Sequence, residues 1–422
     1  MRVMPQLLLG VALASNATTL AADKLNESQA IREIERLGGI VVRDDTLPDR
    51  PVTAIRFKTG SDFADDDVPL LKPFAKLKTL DLGGTKICGT RIVGSGLKEL
   101  RALEHLTTLN LSGTEVRDAS LKQLSELEHL TTLLLNQTQI SDAGMKELRE
   151  LKNLTILSSP DGMMDAGLKE LRNLKHLTSL SLNVTKITGA QLKEFAERKN
   201  LTSLSLTGIQ ITDACLQQIG GLKNLRALSL RETQVTDAGL KELRNLTNLR
   251  TLDLDGTQIS EAALEDLAEL KNLTSLDLGL TAIAGGRLKE IGELKNLTTL
   301  IVTFTQITDT DLRELRGLAN LTTLGLSHTR ITDAGLTELR ELRKLTRLDL
   351  YATNITDAGV KQLRELKNLT TLDLSATAVT DAGLSELCAL KNLMNLSIYH
   401  TQITDAGRKK LRNALPRLSI CP

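Results

Sequence analysis

The sequence predicts a right-handed α/β solenoid, a fold in which short strand–helix units stack along one axis. Three observations predict it. A leucine pattern recurs every 24 residues, the second half of each unit has helical leucine spacing, and leucine dominates the apolar residues. Hydrophobic residues make up 41% of the 422 residues, yet there are only five Phe, two Tyr and no Trp. We therefore expect a core built by repetition, with parallel strands on a concave face and helices on a convex face.

The repeat is most regular where its first leucine recurs without interruption. From Leu177 to Leu393 this leucine falls every 24 residues. The unit from Leu154 to Leu177 has 23 residues, and the unit from Leu77 to Leu106 has 29. A repeat this regular predicts units that each bury their apolar face against their neighbours.

Each unit has two halves with different periodicities. The half Leu-x-x-Leu-x-Leu alternates apolar and polar residues, which predicts a short strand with one buried face. The half Asp-Ala-Gly-Leu-x-x-Leu-x-x-Leu places leucines on one helical face. Thr or Asp before this half can cap the first helical turn, and Asn of the recurring Lys-Asn pair is expected to end the helix in the left-handed conformation.

Variation among the units predicts which positions of Asp-Ala-Gly are packed. The alanine stays small throughout the array, so we expect it to pack tightly against the neighbouring unit. The following glycine becomes Gln191, Arg287 and Asp311, so we expect that position to face water.

The unit LxxLxLxxT-x-(I/V)-TDAGLxxL resembles the leucine-rich repeat family, whose signature is LxxLxLxxN or LxxLxLxxC. It is similar to the 24-residue helix-containing repeats of bacterial secreted arrays and of cysteine-containing, F-box-type ubiquitin-ligase adaptors. The resemblance implies a horseshoe-shaped solenoid that binds another protein on its concave face. The sequence departs from the family in one position.

Threonine replaces the family's Asn or Cys in nearly every unit. Because a buried hydroxyl can donate to the turn backbone, we expect a threonine ladder, which Ile209 interrupts. The threonines are Thr85, Thr114, Thr138, Thr185, Thr233, Thr257, Thr281, Thr305, Thr329, Thr353, Thr377 and Thr401.

The N-terminal segment has the features of a secretory signal peptide. Arg2 supplies a positive charge, residues 7–14 are apolar, and small residues suited to cleavage lie between Ala14 and Ala22. This predicts a secreted or periplasmic, cell-envelope protein. Without a signal peptide the chain would be cytoplasmic. No other stretch has the roughly 18 uninterrupted apolar residues that a membrane span needs.

Four segments follow from these patterns. They are a signal peptide at 1–22, an N-terminal cap with a degenerate first repeat at 23–76, an array of about fourteen units at 77–410, and a C-terminal cap at 411–422. Within the first cap, helical spacing predicts a helix over 25–37, and short strands are predicted at 40–42 and 52–57.

Charge, cysteines and motifs exclude several function classes. Lys and Arg number 53 against 52 Asp and Glu, which argues against a nucleic-acid-binding surface. The four cysteines have no metal-ligand spacing, although Cys421 leaves a link to another chain open. GxxxxGK[ST], HExxH and GxSxG are all missing from the sequence. We predict a protein that is not an enzyme and has no cofactor or metal.

The C-terminal third carries the predicted partner-binding residues. Most polar positions between the strand leucines hold Thr, Ser, Gly or Asn, but both tyrosines of the chain occur here, with residue types that often carry binding energy at interfaces. The alternative is random variation along a long surface. The predicted residues are Phe304, His328, Arg347, Asp349, Tyr351, Asp373, Tyr399 and His400.

A second group is acidic and consists of Arg231, Glu232, Asp253, Asp255 and Asp277. Asp253 and Asp277 are expected side by side on adjacent strands. The group can bind a cation such as calcium or a basic partner, or it can be a solvated face with Arg231 as counter-charge. If calcium binds, it should raise the melting temperature, and Asp253→Asn should remove that increase.

The remaining features of the sequence are a loop, a short unit and a set of recurring triplets. The loop at 88–96, which contains Arg91, is either a functional insertion or a join between cap and array, and the short unit at 154–176 contains Pro160. The Asn-x-Thr triplets follow from the repeat and are interpreted as structural. Besides a binding module, the alternatives are a structural envelope or surface scaffold and a ubiquitin-ligase-type adaptor.

Overall fold

The computed structural model describes residues 25–58, 60–84, 92–187, 192, 195, 198–208 and 210–421. The chain divides into two compact units, Met1–Leu201 and Thr202–Pro422. The predicted signal peptide at 1–22 lies outside the described residues, as do Thr85, Arg91, Gln191 and Ile209. The described residues include no helix that is long and apolar enough to cross a membrane.

The first unit begins with the predicted cap. Helix α1 (Glu27–Arg36) is capped by Asn26, whose side chain accepts a hydrogen bond from the backbone N–H of Gln29. Strands β1 (Gly39–Arg43) and β2 (Val52–Phe57) pair antiparallel, and β2 then begins a parallel sheet. The helix and both strands that the sequence predicts in this cap are confirmed.

Parallel strands and short helices then alternate through the first unit. The strands are β3 (Thr79–Asp81), β4 (Thr108–Asn110), β5 (Thr132–Leu134), β6 (Ile156–Ser158) and β7 (Ser179–Ser181). The α-helices are α2 (Asp118–Leu121), α3 (Asp142–Met145) and α4 (Asp165–Glu170), and 3₁₀ helices span Asp65–Leu71, Leu97–Ala102, Lys122–Glu126, Lys146–Glu150 and Leu171–Asn173.

The second unit repeats the same arrangement with parallel neighbours in register. Its strands are β8 (Ser203–Ser205), β9 (Ala227–Ser229), β10 (Thr251–Asp253), β11 (Ser275–Asp277), β12 (Thr299–Ile301), β13 (Thr323–Gly325), β14 (Arg347–Asp349), β15 (Thr371–Asp373), β16 (Asn395–Ser397) and β17 (Ser419–Cys421).

Short helices return the chain between the strands of the second unit. The α-helices are α5 (Asp213–Ile219), α6 (Asp237–Leu240), α7 (Leu264–Ala268), α8 (Lys289–Gly292), α9 (Asp309–Glu314), α10 (Asp333–Leu336), α11 (Asp357–Gln362), α12 (Asp381–Leu387) and α13 (Asp405–Ala414). The 3₁₀ helices span Lys241–Asn245, Glu261–Ala263, Leu315–Gly317, Thr337–Glu341 and Leu363–Glu365.

The leucines of both halves form the core. In the repeat that starts at Leu225, the strand residues Leu228 and Leu230 and the helical residues Leu240 and Leu243 are all buried. The middle residue of each three-residue strand points inward, while its two neighbours face the other side of the sheet. The predicted division of each unit into a strand and a helical segment is confirmed.

The predicted threonine ladder is confirmed in the described residues. The hydroxyl of Thr329 donates to the carbonyl of Leu326 three residues earlier, at 2.6 Å, and closes the turn after β13. The same bond recurs at Thr114, Thr138, Thr185, Thr233, Thr257, Thr281, Thr305, Thr353, Thr377 and Thr401.

The expectation for Asp-Ala-Gly was wrong. Ala238 is exposed and Gly239 is buried, and the other repeats with this motif follow the same pattern. The carboxylate of Asp213, one unit earlier, accepts bonds from the backbone N–H and the hydroxyl of Thr236. A Cβ at Gly239 would overlap that carboxylate. The glycine is therefore required by close approach.

Asp311 shows how the array compensates when the usual aspartate is lost. In the preceding unit Gly285 stands where the aspartate normally lies. Asp311 occupies the glycine position and is only 1% exposed. Its carboxylate accepts bonds from the backbone N–H groups of Gly286 and Thr308. The predicted exposure of this position is therefore wrong at Asp311, although Arg287 is exposed.

The asparagine expected to end each helix has a different role. The left-handed residues lie instead in the turn after each strand, at Gln137, Val184, Glu232, Leu280, Phe304, His328, Ala352, Ala376 and His400 and at glycines such as Gly113, Gly208 and Gly256. The Asn side chain forms a hydrogen bond to the preceding repeat. Nδ2 of Asn296, for example, donates to the carbonyl of Lys271.

We expect Thr329→Val to lower the free energy of unfolding by about 1 to 2 kcal/mol, because it removes a buried hydrogen-bond donor while keeping the side-chain shape. Thr299→Val is the matched control, since Thr299 is half-buried on a strand. Urea denaturation followed by circular dichroism measures both. Equal losses would contradict a special role for the ladder.

We also expect Gly239→Ala to destabilise the fold by about 1 to 3 kcal/mol, because the added Cβ displaces the Asp213 carboxylate. The sign of the stability change distinguishes close approach from ordinary helix propensity, since Gly to Ala in an ordinary helix stabilises the protein by about 1 kcal/mol. Ala238→Ser, at the exposed neighbour, should have little effect. Thermal unfolding of the two variants decides the matter, and a more stable Gly239→Ala protein would contradict the packing argument.

Candidate functional site

Three aromatic side chains of the C-terminal third stack across consecutive repeats. The rings of Phe304 and His328 are nearly parallel, with centroids 3.9 Å apart. His328 in turn meets the edge of Tyr351, with centroids 4.9 Å apart. We call Phe304, His328 and Tyr351 the ring ladder. Phe304 is 48% exposed, so the ladder presents aromatic surface to solvent.

The turn after each strand fixes where these rings stand. Phe304 and His328 have positive φ angles of 56° and 54°, a region that costs non-glycine residues roughly 1 kcal/mol or more. Other repeats hold glycine at this position. The hydroxyls of Thr305 and Thr329 close the two turns, and the N–H of His328 donates to the carbonyl of Tyr351. The backbone of the ladder is therefore held by hydrogen bonds that do not involve the rings.

A second aromatic pair lies two strands further along. Tyr399 and His400 are in contact, with ring centroids 4.0 Å apart, and Tyr399 is 56% exposed. The backbone N–H of Tyr399 donates to the hydroxyl of Ser375. Between the ring ladder and this pair the repeat carries only the small residues Ser375 and Ala376 in the corresponding turn.

Two aspartates lie side by side next to the ring ladder. Asp349 and Asp373 are paired in register on β14 and β15. Each accepts a bond from the backbone N–H two residues on, that of Tyr351 at 2.9 Å and that of Ser375 at 2.8 Å. Burial is the main cause of the raised pKa of Asp349, and the neighbouring Asp373 raises that pKa further.

Arg347 lies on the same strand as Asp349, two residues earlier. It is exposed and forms no ion pair with Asp349 or Asp373 among the described residues. The structure therefore gathers the eight predicted partner-binding residues on strands β14 and β15 and in the turns after β12, β13, β14 and β16. Whether they bind a partner remains a prediction.

Sequence reasoning missed two neighbours of this surface. Leu280, in the turn one repeat before Phe304, is 51% exposed. Gly325 lies between Ile301 and Asp349 on the strands and leaves the face without a side chain there. The clue in the sequence was the column of residues just before each ladder threonine, where glycine gives way to Leu280, Phe304 and His328.

The second, acidic group is arranged as expected. Asp253 and Asp277 are register partners on β10 and β11. Arg231 forms an ion pair with Asp255, with Nη1 and Oδ2 2.5 Å apart, and also reaches Glu232. The pKa of Asp277 is raised to about 6, mainly by burial and also by Asp253 and Asp255, while a hydrogen bond from Gly279 opposes the increase.

Burial also raises the pKa of Asp255, although Arg231 opposes that change. Among the described residues, no group of three or more His, Cys, Asp or Glu is placed to hold a metal ion. Arg231 pairs with Asp255 within this group, and binding of a cation or a basic partner stays a prediction.

The described part of the predicted loop at 88–96 is tied to the N-terminal cap. The buried carboxylate of Asp65 accepts bonds from the backbone N–H groups of Val93, Gly94 and Gly96. These bonds give residues 92–96 a structural anchor. In the short unit, the hydroxyls of Ser158 and Ser159 are buried and have no hydrogen-bond partner among the described residues.

The Asn-x-Thr triplets that the structure describes use their asparagine for packing. Nδ2, the atom that would carry a glycan, donates to a carbonyl of the preceding repeat at Asn153, Asn272, Asn296 and Asn368. This supports the structural interpretation of these triplets.

The raised pKa of Asp277 predicts a pH dependence of stability. The folded chain binds this proton more tightly than the unfolded chain between pH 3.8 and about 6, so the stability contribution falls as pH rises through that window. We expect Asp277→Asn to stabilise the protein by roughly 1 kcal/mol at pH 8, with partial exposure limiting the gain, and to lose this advantage below the window.

Asp381→Asn is the control of opposite sign. Hydrogen bonds from the hydroxyl and N–H of Thr404 lower the pKa of Asp381, so its stabilising contribution is present at neutral pH and is lost in acid. Thermal unfolding from roughly pH 2 to 8, a range that includes the loss in acid at Asp381 and the window at Asp277, measures the two differences. A pH-independent difference between the parent chain and Asp277→Asn would contradict the prediction.

Comparisons with known proteins agree with this repeat architecture. Sequence profiles described as leucine rich repeat match residues 199–259, and others match 102–125, 126–148, 317–339 and 365–388. The comparison with curated protein sequences gave no match.

Solved structures with the same fold include two bacterial proteins. An internalin from Listeria monocytogenes is 26% identical, with a TM-score of 0.56 over 76% of this chain and 87% of the internalin. A leucine-rich repeat protein from Leptospira interrogans is 24% identical, with a TM-score of 0.50 over 79% of this chain and 95% of that protein, and it supports the fold alone. The predicted fold class is confirmed, and the chain is a leucine-rich repeat protein.

Proposed function

We propose that this chain is a non-enzymatic protein-recognition module that binds its partner on the strand face of the second unit. Leucine-rich repeat proteins are in general binding modules, and the fold suggests protein partners. The observation that carries the proposal for this chain is the exposed ring ladder with Asp349 and Asp373 beside it. Aromatic and charged groups of this kind often dominate binding energy at interfaces.

The mechanism is pre-organisation. The turns that carry Phe304, His328 and Tyr351 are closed by threonine hydroxyls and by backbone bonds between neighbouring repeats. The side chains therefore have little backbone freedom to lose when a partner docks, which lowers the entropic cost of association. A rigid face with fixed spacing between side chains also favours one partner orientation.

A secreted, periplasmic or cell-envelope location belongs to the same proposal and rests on the N-terminal sequence alone. It disfavours the ubiquitin-ligase adaptor as the alternative. A structural scaffold remains the rival of a different class. It predicts that the exposed rings contribute nothing to any specific association.

Affinity capture from a native extract, followed by mass spectrometry, tests the proposal. The bait is the intact chain, and the comparison bait carries Phe304→Ala, Arg347→Ala, Tyr351→Ala and Tyr399→Ala. Because the three aromatic side chains project from turns that backbone bonds hold, and Arg347 is exposed on β14, we expect the variant to fold and to lose its partner by at least tenfold. Circular dichroism checks the fold.

A matched bait with Asp253→Asn and Asp277→Asn shows whether any loss is specific to the ring surface. A partner that the ring variant retains and the acidic variant loses would move the site to the acidic group. Equal recovery on all three baits, or no partner on any of them, would favour the scaffold.

A further inference from the structure

The ring ladder and the aspartate pair beside it have complementary chemistry for one kind of group. Aromatic faces attract organic cations through the ring quadrupole, and Asp349 and Asp373 add two carboxylates in register. The two sets adjoin directly, since the backbone N–H of Tyr351 donates to Asp349. A group that satisfies both sets must be cationic and have an apolar or planar surface.

The two acidic groups differ in whether a cation of the same chain pairs with them. In the first, Arg231 of the same chain forms an ion pair with Asp255 and lowers the pKa of Asp277. In the second, no Lys or Arg in the described part of the chain forms an ion pair with Asp349 or Asp373. Like charges on adjacent strands repel each other, and an external cation would relieve that repulsion.

The dimensions of the surface favour an extended side chain. Tyr351 and Tyr399 occupy equivalent positions after β14 and β16, so their backbones are two strand spacings or roughly 10 Å apart. The turn between them holds only Ser375 and Ala376. The exposed surfaces beside the rings thus border a stretch without large side chains, where an extended side chain can lie.

We propose that this surface binds an arginine-bearing segment of the partner protein, with the guanidinium between the ring ladder and the Asp349–Asp373 pair. The proposal rests on the protein-recognition function proposed above and specifies the chemistry of its partner. A guanidinium stacks on aromatic faces and donates two parallel bonds to a carboxylate, whereas an ammonium is a compact point charge. Asp349 accepts one backbone bond and a bond from the hydroxyl of Ser327, and Asp373 accepts one backbone bond, which leaves acceptor capacity on both carboxylates.

Peptide binding measured by fluorescence anisotropy tests this chemistry directly. The probes are rhodamine-labelled octapeptides of alternating Gly-Arg, Gly-Lys and Gly-Glu, titrated with the intact chain at about 0.15 M salt, where distant surface charges are screened. We expect the Gly-Arg peptide to bind several-fold more tightly than the Gly-Lys peptide, and the Gly-Glu peptide to show no binding.

Matched variants locate the site. Asp349→Asn with Asp373→Asn should weaken Gly-Arg binding by about tenfold or more, and Tyr351→Ala by about fivefold. Asp253→Asn with Asp277→Asn removes the same net charge and should change the affinity by less than about twofold.

The proposal is overturned if the parent chain does not bind the Gly-Arg peptide, if Gly-Lys binds equally well, or if the two asparagine pairs weaken binding equally. These results leave the proposed function intact when the capture experiment still yields a partner that depends on the ring surface. Loss of that partner-dependence together with retained Gly-Arg binding would instead count against protein recognition and for non-specific charge binding.

Discussion

The structure depends first on the threonine hydroxyl that nearly every repeat carries in the turn after its strand. Each three-residue strand is followed by a sharp turn, and the buried threonine donates to the carbonyl at the start of that turn, as Thr353 does to Leu350. In this short turn a left-handed residue precedes the threonine. The backbone N–H of Thr353 reaches the same carbonyl only at 3.3 Å, so the hydroxyl supplies the shorter bond. Because this bond recurs along the array, each repeat turns away from the sheet at the same point, and the following helical half returns in register.

A second constraint locks each repeat to the next. The aspartate that starts one helix accepts two bonds from the capping residue of the following unit, as Asp333 does from the N–H and hydroxyl of Thr356. That carboxylate occupies the space above a glycine of the following unit, so cap, carboxylate and glycine form one interdependent set. Gly285 and Asp311 show that a carboxylate can fill this space from the other repeat when the usual aspartate is replaced by glycine.

The sequence therefore predicted the parts of the fold that follow from periodicity. The strand–helix alternation, the cap helix and hairpin, the threonine ladder and the pairing of Asp253 with Asp277 are all confirmed. The prediction for Asp-Ala-Gly is wrong, because substitution at the glycine position does not indicate exposure. Asp311 replaces that glycine only where the carboxylate it would meet is missing. A single repeat cannot reveal this, since the contact lies between two repeats.

The site was predictable in composition but not in geometry. Phe304, His328 and Tyr351 stood out as rare residue types, but nothing in their spacing indicated a ring stack, because the first two occupy the left-handed position and the third the residue before it. Because different groups hold the turn and face outward, the residue types at this surface can differ from repeat to repeat. Threonine hydroxyls and inter-repeat backbone bonds hold the turn, so the side chains of the two residues inside it are not needed to close it. Side chains at these positions can then be chosen for what they contact outside the chain.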